Sequence, residues 1–259
     1  MEGCTPITLA VPQFARGLGA GGRVAYSAAD MTHEELARKL AGRFIVFDGI
    51  DGCGKSRQRE LLGALLERAG GDVVHCRDPG GTVIGDRIRH VLLDFDLAAM
   101  SARCEAMLFM ASRAQLVDEV IDPALRAGRI VLCDRYISAT CAYQGAAGND
   151  VDDVIALGRL AVGKTWPDMT FILDITVKES FARTNRQARP RVRSGQTHMF
   201  SDARTDAMEA RPRRFHEKVR KIMLRLPEFY PTPVRILDGA GEPDEIHEHV
   251  IRALEDVFS

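Results

Sequence analysis

Phe44-Ile45-Val46-Phe47-Asp48-Gly49-Ile50-Asp51-Gly52-Cys53-Gly54-Lys55-Ser56 is the stretch around which this chain is organised. A short apolar run breaks into glycines, ends in Lys-Ser and passes into a helical pattern from Arg57 to Glu67. Gly49 to Ser56 fits the spacing G-x-x-x-x-G-K-[ST] of a phosphate-binding P-loop. Phosphate oxygens must come close to backbone N–H groups, so side chains are stripped away at Gly49, Gly52 and Gly54. The loop then opens a helix whose free N–H groups and dipole attract anions. Lys55 brings a mobile positive charge to the outer phosphates, and Ser56 offers a hydroxyl to Mg²⁺. The segment from Gly49 through Ile50, Asp51, Gly52, Cys53, Gly54, Lys55 and Ser56 to Arg57 is the expected seat of a nucleoside triphosphate.

Outward from this loop, apolar strands alternate with amphipathic helices. Strands are expected at Phe44–Phe47, Val73–Cys76, Ile130–Cys133, Thr170–Leu173 and Val234–Leu237. Helical patterns cover Leu61–Ala69, Ala106–Arg126, Val154–Val162, Asp206–Leu224 and Glu242–Val257. Strands this short and continuously apolar imply parallel pairing with both faces covered. The expected architecture is an α/β three-layer sandwich with ligands at the carboxyl ends of the strands.

Bulk properties narrow the class. The chain has 259 residues, 46% of them apolar, with a formal charge of -1. Near-neutrality argues against a general nucleic-acid or membrane-surface binder. No apolar run approaches the ~20 residues of a membrane span. The six cysteines contain no C-x-x-C pair, which points to reduced thiols and a cytoplasmic protein.

Residues 1–40 read as a flexible N-terminal extension, and 41–259 as the nucleotide-binding domain. Gly17-Leu18-Gly19-Ala20-Gly21-Gly22 matches the dinucleotide fingerprint G-x-G-x-x-G in letters only, because Pro12 stops the preceding run and no helix follows. No basic segment of a signal peptide is present. Composition changes at Met31, where Thr32 is placed to cap a short helix, so a chain starting at Met31 is expected to fold and stay active.

Four further constellations bear on chemistry. Arg77-Asp78-Pro79-Gly80-Gly81-Thr82 makes a side-chain-poor turn after the second strand, where Arg77 could take a phosphate bidentately or stay solvated. Asp134-Arg135-Tyr136 ends the third strand, where P-loop enzymes hold the Mg²⁺ shell and where Arg135 could clamp a second phosphorylated substrate. Phe109 and Arg113 lie one helical turn apart, suited to a nucleobase, or equally to a core ring and a solvated arginine. Arg183, Arg186, Arg189, Arg191, Arg193 and Arg204 form a basic flap able to close over transferring phosphates. An RNA-binding loop is the rival there, but no aromatic residues interleave for stacking. The histidines suggest no metal site, and Cys53 serves as a small residue whose thiol the loop could activate for oxidation.

Taken in order, Phe44–Gln58, Arg77–Thr82, Glu105–Gln115, Val131–Gly145 and Pro167–Asp174 resemble the bacterial thymidylate kinases, within the nucleoside-monophosphate kinase group. The resemblance implies a five-stranded parallel sheet, a mobile lid at about 185–210, ATP with Mg²⁺, dTMP as acceptor, and a homodimer. By position, Asp51 would lie near the acceptor, and Arg77 and Arg135 would hold the dTMP phosphate. Phe109 would stack on thymine and Arg113 would bond a base carbonyl. Thr140 would touch the base, Tyr143 would crowd the site of a ribose 2′-hydroxyl, and Gln144 would lie beside it. Ser56 and Asp134 keep the metal roles. The P-loop lacks an arginine, as in the subtype whose catalytic arginine comes from the lid. Departures are Arg57 for a usual Thr, Asp48 and Asp78 for usual glutamates, and Ala207 in the arginine slot of Asp206-Ala207-Met208-Glu209. Arg186, Arg189 or Arg191 is expected to replace that missing arginine.

A monophosphate oxygen is already anionic, so it can attack the γ-phosphorus with no general base. Lys55, Arg135 and the lid arginines need only align two repelling anions. The alternatives are a kinase for another nucleotide, a deoxynucleoside kinase using Asp48 or Asp51 as base, a plain NTPase, or a nucleotide-binding regulator without turnover.

Overall fold

The computed structural model describes residues 31–93, 100–184 and 211–259. The N-terminal glycine-rich stretch and the flap arginines 186, 189, 191, 193 and 204 lie outside these. Five strands, β1 (Phe44–Asp48), β2 (Val73–Arg77), β3 (Ile130–Asp134), β4 (Met169–Asp174) and β5 (Val234–Asp238), form one sheet in the order β2-β3-β1-β4-β5. Every pairing is parallel. All five expected strands are present, and each runs one residue further, onto a charged side chain. The ladder carries Arg77 into register with Asp134, and Asp174 with Asp238. The carboxyl edge of the sheet is therefore lined with charge. Continuous burial holds for β1 and β3, whereas the edge strands β2 and β5 expose His75 and Arg235, no described strand pairing beyond them.

In chain order the helices are α1 (His33–Lys39), α2 (Lys55–Arg68), α3 (Val83–Leu93), α4 (Ala102–Leu116), α5 (Asp122–Arg126) and α6 (Ile137–Ala146). They continue with α7 (Val151–Val162), α8 (Val177–Arg183), α9 (Arg213–Met223), α10 (Leu226–Phe229) and α11 (Pro243–Phe258). Alternation along the strands splits the core into two layers. Ile45, Phe47, Leu132 and Phe171 pack with α1, α2 and α11 through Leu36, Leu62, Leu66 and Leu254. Phe44, Val46, Val131 and Cys133 face α4, α6, α7 and α9 through Met110, Ile137, Val154 and Val219. This is the expected three-layer sandwich.

Three details differ from the sequence pattern. Thr32 does cap α1, its Oγ accepting from the Glu35 N–H while the Glu35 carboxylate accepts from the Thr32 N–H. Leu36 and Leu40 are then fully buried, so residues 32–40, grouped above with the extension, pack as part of the core. The helix expected over Ala106–Arg126 is instead α4, a π-helical turn at Val117–Ile121, and α5. The sequence pattern also leaves out helices α3, α6, α8 and α10. Among the described residues no helix is long and apolar enough to cross a membrane.

Candidate active site

The P-loop leaves β1 and wraps into α2. Gly49 adopts φ +143°, and a Cβ there would stand 2.6 Å from the Leu173 carbonyl oxygen, so no side chain fits. Lys55 reaches back to the Asp51 carboxylate at 3.4 Å. Burial and Arg135 press the Lys55 amine downward, but Asp51, Cys53 and Asp134 outweigh them, so its pKa is raised and it stays charged. The Ser56 hydroxyl donates to Asp134 Oδ2 at 2.6 Å, joining the loop to the end of β3. A hydroxyl and a carboxylate held this close are hard oxygen donors of the kind Mg²⁺ takes alongside phosphates and water. One expectation changes: burial pushes the Cys53 thiol up, so it is not activated. Arg57 is exposed at the start of α2, next to the loop.

Arg135 is the hub between loop and pocket. It sits at φ +69°, in the left-handed region where an L-residue is disfavoured by ~1–2 kcal/mol. Its guanidinium holds that geometry through Asp48 at 3.1 Å, the Gly49 carbonyl at 3.1 Å and Asp51 at 2.5 Å. It also lies 5.1 Å from the centre of the Tyr143 ring, whose hydroxyl is 3.3 Å from Asp51. Asp48 is fully buried and accepts from Ser138 at 2.6 Å and from the Gly49 N–H at 2.8 Å. Burial raises its pKa against the pull of Arg135. Asp48 does not line the pocket, which removes it as a base for a neutral hydroxyl.

A pocket of about 220 Å³ opens from the P-loop to α4 and α6. At one end are Asp51, Lys55, Ser56, Asp134 and Arg135; at the other are Phe109, Arg113, Thr140, Tyr143 and Gln144, with Arg77 on the rim strand β2. Phe109 is half-buried, lining this space while packing against the core behind it. Arg113 is not solvated: it is 1% exposed and pairs through Nε with the Asp78 carboxylate. Its Nη2 donates to the Tyr136 carbonyl at 3.1 Å and to the Thr140 hydroxyl at 2.9 Å, and Nη1 lies 2.9 Å from Met110 Sδ. Among the described residues four of the five guanidinium hydrogens have partners, which leaves one on Nη1 for a ligand. Gln144 is fully buried, and neither its Oε1 nor its Nε2 has a partner among the described residues.

Sequence reasoning missed several contributors. Asp78 fixes Arg113 across 35 residues, and burial pushes its carboxyl up against the pull of Arg113. Arg89 lines the pocket while donating to the Pro79 carbonyl at 3.0 Å, and no motif of the sequence marks it. Arg183, counted above with the flap, ends α8 and donates to the carbonyls of Gly52 at 3.2 Å and Gly239 at 3.0 Å. Arg186, Arg189 and Arg191 fall outside the described residues.

The thymidylate kinase family model matches residues 47–250, most of the chain. The chain belongs to the thymidylate kinase family. It is 41% identical over 211 residues to the thymidylate kinase of Pelobacter propionicus, covering 81% of this chain and 92% of that one. It is 43% identical over 199 residues to the thymidylate kinase of Geobacter sulfurreducens, covering 76% and 89%. The crystal structure of thymidylate kinase from Ehrlichia chaffeensis superposes with a TM-score of 0.63 at 28% identity, covering 83% of this chain and 99% of that chain. Membership makes the chain a nucleoside-monophosphate kinase by class, and the thymidylate kinase match runs on through 185–210, where the motif resemblance is weakest.

Proposed function

We propose that this chain transfers the γ-phosphoryl group of ATP to dTMP, giving ADP and dTDP. The observation that carries this reading is the single pocket that joins P-loop Lys55 and Ser56 to Phe109 and Gln144. One pocket thus brings Lys55, Arg135 and Arg77, able to take phosphates, together with Phe109, Arg113 and Gln144, able to take a base.

The P-loop from Gly49 to Ser56 holds the triphosphate on its backbone N–H groups. Ser56 and Asp134 would hold Mg²⁺, which would supply positive charge against the transferring phosphates. Arg77 and Arg135 grip the dTMP phosphate, and Asp51 orients Arg135 and Lys55. Phe109 stacks on the base, Arg113 and Gln144 bond its polar edge, Thr140 fixes Arg113, and Tyr143 fills the space of a 2′-hydroxyl. An anionic oxygen of dTMP attacks the γ-phosphorus as the bond to the ADP oxygen breaks, with no side chain required to take a proton. One of Arg186, Arg189 or Arg191 stabilises the charge on the transferring group from the lid, and closure excludes water. Asp51 is paired with Arg135 and Lys55, which gives it a positioning role rather than that of a base.

Two finer points belong here. The exposed apolar side chains Val83, Ile84 and Val91 on α3, Met107 on α4 and Leu160 on α7 suit a homodimer, which sedimentation at assay concentration checks. The described cysteines are all free thiols, in keeping with a cytoplasmic protein.

The test is ADP formation from ATP and Mg²⁺ with dTMP, dUMP, UMP, dCMP, thymidine or no acceptor. Turnover strongest with dTMP and weak with UMP is expected. Turnover with thymidine alone, turnover without an acceptor, or nucleotide binding with no turnover would each overturn the proposal.

A further inference from the structure

Helix α8 ends against the back of the P-loop. The Ser180 hydroxyl donates to the backbone carbonyl of Asp51 at 2.6 Å. One turn later Arg183 donates to the carbonyl of Gly52 at 3.2 Å, and Thr184 returns its hydroxyl to the Ser180 carbonyl at 2.7 Å. The packing is flush: a Cβ on Gly52 would lie 3.1 Å from the Thr184 methyl and 3.3 Å from the Ser180 carbonyl oxygen. Ser180 is fully buried, on a helix whose start is fixed by the reciprocal Thr176–Glu179 cap.

In a planar trans peptide the C=O and N–H point to opposite sides. Holding the Asp51 carbonyl toward α8 therefore aims the Gly52 N–H away from α8. The peptide needs such a hold. Gly52 sits at φ +76°, and glycine accepts either sign of φ at small cost, so nothing in the loop itself forbids rotation of the 51–52 unit. The rotated form would turn a carbonyl oxygen toward bound phosphate where an N–H belongs.

We infer that Ser180 is a positioning residue for the reaction: it selects the orientation of the Asp51–Gly52 peptide that presents the Gly52 N–H to the triphosphate. It rests on the reading above that Gly49–Ser56 holds the phosphates of ATP, and it adds a residue that lies in neither the P-loop nor the acceptor pocket.

The test is Ser180→Ala, which deletes the donor and leaves a good helix former in place. The KM for ATP should rise about tenfold, the loss of one well-placed backbone interaction on a charged ligand. The kcat should stay within about threefold, because the phosphates use the loop in ground and transition states alike. Tm should fall by about 2–6 °C, as for one buried hydrogen bond lost, while the dTMP Kd by calorimetry stays within twofold, an outcome that a general loosening of the site would not give. An ATP KM unchanged in Ser180→Ala overturns the inference, as does a parallel loss of dTMP affinity. Wild-type protein that fails to bind ATP would instead overturn the underlying reading of the P-loop, so the two failures are told apart.

Discussion

Replacing Gln144 with leucine should make the free protein more stable and the protein–dTMP complex much weaker. Gln144 is fully buried, with both amide atoms lacking partners among the described residues, while its backbone carbonyl is fixed by Asn149 at 3.0 Å. An unsatisfied buried polar group is unfavourable by about 1–3 kcal/mol. Leucine removes both unsatisfied atoms at nearly the same volume, and loses a little packing where the amide reached into the pocket. The expected net gain is about 1–2 kcal/mol, or about 2–8 °C in Tm for a domain of this size. A base that enters the pocket would then lose its partners for one donor and one acceptor. A site built to bond such groups discriminates strongly when they are unmatched, so dTMP affinity should fall about 10²-fold. Thermal unfolding without ligand and dTMP titration by calorimetry measure the two effects on one preparation. A free-state Tm that drops by several degrees would show that the amide is satisfied in the free protein. Unchanged dTMP affinity would remove Gln144 from the acceptor site.

Two further outcomes are expected. Arg113→Met leaves the buried Asp78 carboxyl without its cation and should destabilise the protein by about 3–5 kcal/mol. Burial already raises the Asp78 pKa and Arg113 opposes that rise, so its removal raises the pKa further. A group raised in the folded state adds stability that is full below its unfolded value and is lost as pH climbs through the folded value. The Tm gap to wild type should therefore widen from pH 5 to pH 8, and a pH-independent gap would refute this account. Among Arg186→Ala, Arg189→Ala and Arg191→Ala, at least one should lose about 10³-fold in kcat by coupled ADP assay, whereas full kcat in all three would end the lid-arginine assignment.

What could be read from the sequence follows from where each signal is stored. Strands β1 and β3 are buried on both faces, so their apolar runs are unbroken, and their ends at Asp48 and Asp134 mark the site. The P-loop was legible because backbone contact with phosphate restricts side chains within one short segment. Helix α6 was not, because residues Ile137 to Gln144 are all buried and no polar face breaks the sequence into a helical period. The extent of α4 was misjudged because the π-helical turn keeps the apolar pattern running into α5. Phe109 and Arg113 were ambiguous for another reason: the partner that makes Arg113 a buried residue is Asp78, on a separate turn after β2. The α8 contact with the P-loop was hidden in the same way, since Ser180 lies 129 residues from Asp51.

The division of the core by the sheet has an evolutionary consequence. The donor helix α2 is rooted in the layer with α1 and α11, whereas the acceptor residues sit on α4 and α6 in the other layer. Substitutions that reshape the base end can be absorbed by repacking among α4, α6, α7 and α9 while five strands insulate the helix behind the phosphates. Arg135, Asp48 and Asp51 are among the side chains that link the P-loop to the acceptor side. A lineage drifting toward a new acceptor would change side chains of α4 and α6, with the packing of α2 against α1 and α11 left as it is.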